Sequence, residues 1–267
     1  MEKLNRFVAK HSIAVYAVVT VVWLFAMVAL QEWIPLLLVY LVMFFGIWVI
    51  ARWVNGRGNA LLQKPLQVVL HQCDPYPYLE EAQRQRDYSG VPFLKLMQLI
   101  NESSALNLVG ECRQAYHMLA SVDPKILHRV NAYMKAYYYY SLSSLAITVE
   151  DQATVELWHS KMLEAISKIR NAKAKRYAAV LERNAAVRIH FVRGEYDLAL
   201  QVRQTWNETS LYGKVGEAYD YGKIYMAQGE LALAKEKMEC VVQNGNRLHL
   251  VTMAKEKLAE IDTMEEM

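Results

Sequence analysis

The chain has 267 residues, 54% of them hydrophobic, and its 30 basic and 27 acidic side chains leave a net charge of only +3. That near balance gives no strong attraction to nucleic acid. Three cysteines scattered singly at 73, 112 and 240 argue against a disulfide framework and against a paired-cysteine metal site, and fit reduced thiols packed as small apolar groups.

The first predicted elements are two apolar runs. SIAVYAVVTVVWLFAMVAL, from Ser12 to Leu30, and WIPLLLVYLVMFFGIWVIA, from Trp33 to Ala51, are each free of charge, with only Gln31 and Glu32 between them. About 20 apolar residues in a helix match a hydrocarbon core of about 30 Å. Bulky residues where a signal peptide needs a small cleavage site, and the second run that follows at once, argue against a cleaved leader. Lys3, Arg6 and Lys10 precede the pair and Arg52, Arg57 and Lys64 follow it. Basic residues stay on the cytoplasmic side, so the expectation is a transmembrane hairpin over residues 1–54 with both termini and the main domain cytoplasmic. Its membrane is expected to be the plasma membrane of a bacterium.

Residues 55–90 read as a juxtamembrane linker with short helices. Asn55 to Asn59 (NGRGN) is a flexible exit, and Pro65 implies a kink or a new helix start within Ala60 to Gln72. Pro75 and Pro77 make a loop of Cys73 to Pro77, and Leu79 to Asp87 reads as a short helix. From residue 91 to 267 helix follows helix. Pro92 opens one, and others are expected over Glu111–Ser121, Ile126–Ile147, Gln152–Arg170, Ala174–Val192, Tyr196–Trp206, Lys214–Met226, Leu231–Gln243 and Leu248–Ile261. The fold class is all-α.

Three times the chain repeats Gly-Glu-x-x-x-Ala: Gly110, Glu111, Ala115; Gly194, Glu195, Ala199; Gly229, Glu230, Ala234. Glycine ends one helix in a left-handed cap. Glutamate then meets the positive end of the next, and alanine one turn on permits close approach. Each unit is a helix pair that buries its apolar face only by stacking on neighbours. With Tyr221-Gly222, Tyr225, Gly229, Leu231, Ala234, Met238 and Val241 at family spacing, the chain resembles the tetratricopeptide repeat family. The middle copy departs at Val187 and His190, and the first places Glu102 where an apolar residue is usual.

The resemblance implies a TPR-like helical-repeat solenoid whose first helices line a groove for a protein or peptide partner. Carried onto this sequence, it places Asn184, Arg188, Tyr219 and Lys223 in the groove, joined by Tyr133, Tyr137 and Tyr140. Tyrosines offer flat contact area and the cations can pair with carboxylates. The run Tyr137 to Tyr140, however, covers every face of a helix, so some of it must be packing.

Signals for chemistry are sparse. His71, His117, His128, His159, His190 and His249 stand alone on different helices, Glu80 and Glu81 point apart, and no phosphate-cradling loop or nucleophile motif appears. No catalytic residue, metal or cofactor is assigned. The basic segment Lys168 to Arg176 reads as a solvated helix end or, more sharply, as a contact for anionic headgroups. The expectation is a membrane-anchored adaptor, held in lipid by two spans, without nucleic acid. The alternatives are an enzyme or regulator of membrane lipids or peptides, and a structural subunit bound through its spans.

Overall fold

A computed structural model describes residues 2–30, 36–86, 92–149 and 152–266. The link at Gln31 and Glu32, the first residues of the second apolar run and the stretch from Asp87 to Val91 lie outside the described residues. All regular structure among the described residues is helical. The helices are α1 (Glu2–Lys10), α2 (Ser12–Leu30), α3 (Leu36–Gln72), α4 (Tyr76–Gln85), α5 (Pro92–Val109), α6 (Cys112–Ala120) and α7 (Pro124–His128), then α8 (Ala132–Thr148), α9 (Gln152–Ser167), α10 (Ala172–Val192), α11 (Tyr196–Arg203), α12 (Leu211–Ala227), α13 (Leu231–Asn244) and α14 (His249–Glu265).

Among the described residues, no helix is long and apolar enough to cross a membrane. Helix α2 is 19 residues without a charge, and the charge-free part of α3 ends before Arg52. The expected pair of full spans is therefore not established by the fold. What the fold has is an apolar hairpin. The indole of Trp23 packs where a Cβ on Gly46 would sit, so glycine is what lets α2 and α3 approach here. Around that seam Val18, Val22, Phe25, Phe44, Phe45 and Trp48 remain exposed.

Helix α3 also corrects the expected linker. It runs for 37 residues through Asn55–Asn59 and past Pro65. A proline inside a helix costs about 3 kcal/mol, and burial on both sides of it offsets that cost: Leu61, Leu62 and Val69 are all buried, as is Val8 of α1. Arg6 of α1 reaches Glu81 of α4 at 2.8 Å, so the amino-terminal helix is tied to the helix that follows α3.

From α5 onward the helices pair in sequence order, and the turns are built as the repeated motif requires. Gly110, Gly194 and Gly229 have φ of +100°, +75° and +80°. The backbone N–H groups of Glu111, Glu195 and Glu230 donate to the carbonyls of Leu106, His190 and Tyr225, each at 2.9 Å. These six-to-one bonds close Schellman caps. Ala115, Ala199 and Ala234 are fully buried beneath them. Glu102 departs from the apolar pattern because it is a buried ion-pair partner: it is 0% exposed and takes two hydrogen bonds from Arg86, one from Nε at 2.8 Å. The single helix expected over Ile126–Ile147 is two. Asn131 starts α8 by accepting from the N–H of Met134 at 2.9 Å, and that cap separates it from α7.

The stack of pairs curves until its ends meet. The His249 ring at the start of α14 sits against Gly110, and the turn between α3 and α4 touches the turn between α13 and α14.

Candidate functional site

The inner faces of α4, α8, α10 and α12 bring tyrosines and one arginine together. On α8, Tyr133, Tyr137 and Tyr140 recur at roughly one turn and share a face. Tyr133 and Tyr137 stack in near-parallel planes, 6.5 Å between centroids. The two tyrosines between them are structural. Tyr138 donates its hydroxyl to the Leu119 carbonyl at 2.9 Å, and Tyr139 stacks on Trp158 of α9.

On α10, Asn184 and Arg188 are one turn apart, and the Arg188 guanidinium lies 5.3 Å from the Tyr140 ring centroid. Its electrostatic neighbours are Tyr140, Asp220 and Tyr212. Burial works against its charge, yet those neighbours outweigh it and hold the guanidinium protonated. Nη1 of Arg188 is buried without a hydrogen-bond partner. The side chain as a whole is half-buried and keeps partial solvent access.

The tyrosines around it respond in the same way. Burial, then Tyr140, Tyr133 and Tyr212, push the Tyr137 hydroxyl up to about 12. Burial raises Tyr78 as well, with Tyr137 and Tyr212 adding to it. Tyr212 is raised by burial despite the nearby Arg188. Each of these hydroxyls therefore stays neutral and able to donate a hydrogen bond at ordinary pH.

Of the seven residues expected to line the groove, Tyr133, Tyr137, Tyr140 and Arg188 belong to this cluster, and Asn184 shares the face of Arg188. Lys223 sits 3.6 Å from Asp220 and 5.0 Å from the ring centroids of Phe191 and Tyr219, so its charge is engaged within the protein. Tyr219 is a correction. Only 6% exposed, it packs with Val215, Met238 and Val241 in the core between α12, α13 and α14. Tyr78, Tyr212 and Asp220 escaped the sequence reading. Tyr212 and Asp220 both come from α12, and both act on Arg188.

Two open cavities lie elsewhere. One of about 440 Å³ is lined by residues including Gly110, Glu111, Thr148 and His249. The other, of about 400 Å³, is lined by Asp74, Tyr76 and Arg247 among others. Neither contains a residue of the tyrosine cluster, and that cluster is the better candidate because its chemistry converges. No group of three or more histidines, cysteines or acids suited to a metal occurs among the described residues. A further buried cation, Arg203, is 2% exposed and packs 4.4 Å from the Trp206 ring, with Glu217 at 3.5 Å. Its surroundings knit the loop after α11 to α12. The turn after α9 and the first residues of α10 place Arg170, Lys173, Lys175 and Arg176 in solvent.

Compared with family models, curated proteins and solved structures, the chain matches none. The functional reading therefore rests on the geometry and on the repeated residues themselves.

Proposed function

We propose that this protein is a membrane-anchored adaptor whose TPR-like repeat domain receives a protein or peptide segment against the inner faces of α8, α10 and α12. The observation that carries the reading is the cluster around Arg188. A guanidinium nitrogen without a partner is costly to bury. Here it stands among neutral tyrosines that supply rigid contact area at small entropic cost. An incoming segment with hydrogen-bond acceptors satisfies that nitrogen and covers the rings.

Anchoring through the α2–α3 hairpin is supported by two facts. The sequence runs without charge from Ser12 to Leu30 and again from Trp33 to Ala51, and large hydrophobic side chains along both helices face outward. A continuous apolar surface of this kind is what a lipid environment covers. Confinement to the membrane then raises the local concentration of adaptor and partner together.

The test uses the full chain in lipid nanodiscs against a peptide library. Binding is expected to fall at least about tenfold in Arg188→Ala or Tyr212→Phe, and to be unchanged in Arg193→Ala, whose guanidinium is outside the cluster and pairs with Glu156. Equal binding by all three variants overturns the groove. Release of the chain from membranes by alkaline carbonate overturns the anchor.

A further inference from the structure

The geometry points to a clasp between the α3–α4 turn and the α13–α14 turn that holds the repeat domain closed and whose release opens the interior. It rests on the reading that the interior receives the partner, and it names the regulation of that site.

Four contacts join turns 173 and 174 residues apart in the chain. Asn246 Nδ2 donates to the Gln72 carbonyl at 2.8 Å. The backbone N–H of Arg247 donates to the Cys73 carbonyl at 3.3 Å. The Arg247 guanidinium lies 3.4 Å from Asp74 and 4.0 Å from the Tyr76 ring centroid. Gln72 and Cys73 are at the end of α3, where orphan helix carbonyls need donors, so the distant turn caps this helix.

The backbone is under tension on both sides of the contact. Cys73 has φ of +53° and Asn246 φ of +48°, and among the described residues these are the two non-glycine residues with positive φ. That conformation is unfavourable for an ordinary L residue and less so for asparagine. It persists where surrounding contacts over-determine it, commonly at switch regions. Both strained residues sit at the same closure, facing one another through the bonds above.

The contacts that hold the closure are accessible to water. Asn246 and Arg247 are exposed, and so is Tyr76, so each bond competes with solvent and contributes little. What the clasp covers is different. Cys73 is 0% exposed and packs with Val215 and Leu248, alongside the half-buried Tyr212 of the candidate site. Parting the two turns therefore uncovers Cys73 and the Tyr212 wall together. Burial also raises the Cys73 thiol above its ordinary value, so it reacts slowly while the clasp is closed.

The three cysteines make the test internal to the protein: Cys240 is exposed, while Cys112 is buried at the start of α6 and lines a cavity together with His249, so it reports whether an opening spreads beyond the clasp. Alkylation of the full chain in nanodiscs, followed residue by residue by mass spectrometry, is compared with Arg247→Ala and Asn246→Gly. The glycine keeps the left-handed turn and removes the side-chain bond. Both variants are expected to speed Cys73 labelling about five- to tenfold with Cys112 unchanged, the effect of one or two lost surface contacts on a local opening. Cys73 rates that stay unchanged, or that rise only together with Cys112, overturn the clasp. Faster Cys73 labelling with a partner affinity indifferent to Arg188 would leave the clasp standing and remove the groove.

Discussion

The hairpin of α2 and α3 and the repeat domain use apolar side chains in opposite ways. In the repeat domain the large aliphatics converge: Leu96, Ile100, Leu119 and Leu142 are 0% exposed in one core. In the hairpin they radiate, and Phe25 is 73% exposed. The first region carries its own solvent-excluding partner in the next helix pair, while the second presents its apolar surface to whatever surrounds it. Hydrophobic content alone does not separate them. The spacing of polar residues along each helix does.

Breaking the comparison begins with matched truncations. Leu96→Ala is expected to lower unfolding stability by about 3 kcal/mol, the sum of lost transfer energy and a cavity. Phe25→Ala, scored as the same urea midpoint, forms the other half of the pair and belongs at the bottom of the scale. Arg86→Ala follows closely at about 3 kcal/mol, because it strands the buried Glu102 carboxylate; a loss below about 1 kcal/mol would mean water reaches Glu102 and the pair is peripheral.

Alkaline pH sharpens the contrast without mutation. Tyr137 and Tyr138 of the repeat domain are pushed up to about 12 from an ordinary 10.0, burial first. Below pH 10.0 both the folded and the unfolded chain keep these protons, so nothing is lost. Between 10.0 and about 12 only the unfolded chain releases them, and stability falls by about 1.4 kcal/mol per pH unit for each tyrosine. Tyrosinate absorbance that rises together with unfolding is the expected signal. Ionisation near 10 in the folded protein would show the rings to be solvated.

Gly194→Ala ranks next. Its φ of +75° strains any side chain, while no atom lies within 4 Å of the added Cβ, so the cost is the backbone alone, about 1 kcal/mol. Gly110→Ala is expected to cost more, since His249 Nδ1 lies 2.8 Å from the new methyl position. Phe25→Ala closes the series at within about 0.5 kcal/mol, with the midpoint unmoved. A large drop would place Phe25 in a protein contact rather than on an outer face.

Much of the repeat architecture was legible because the Gly-Glu-x-x-x-Ala motif fixes turn, helix start and close contact in six residues. Helix ends at Val109, Val192 and Ala227 follow directly from the glycines one or two residues later. The site was legible in part. Arg188 and three of its tyrosines followed from the resemblance to helical repeats, but Tyr78 arrives from α4, and no local pattern reports which distant helix packs against the cluster. The exit from the hairpin was misread for the reverse reason. Asn-Gly-Arg-Gly-Asn has low helix propensity, and a weak local preference yields to packing along the rest of α3.

Helix α3 carries one more consequence. Because it is a single helix from Leu36 to Gln72, the azimuth of the repeat domain about that axis is set by residue count. One residue added between 55 and 59 would swing everything beyond it by about 100°, taking Glu81 off the bearing of Arg6. Chain length in this stretch thus encodes a direction: which way the interior faces, relative to the apolar hairpin below.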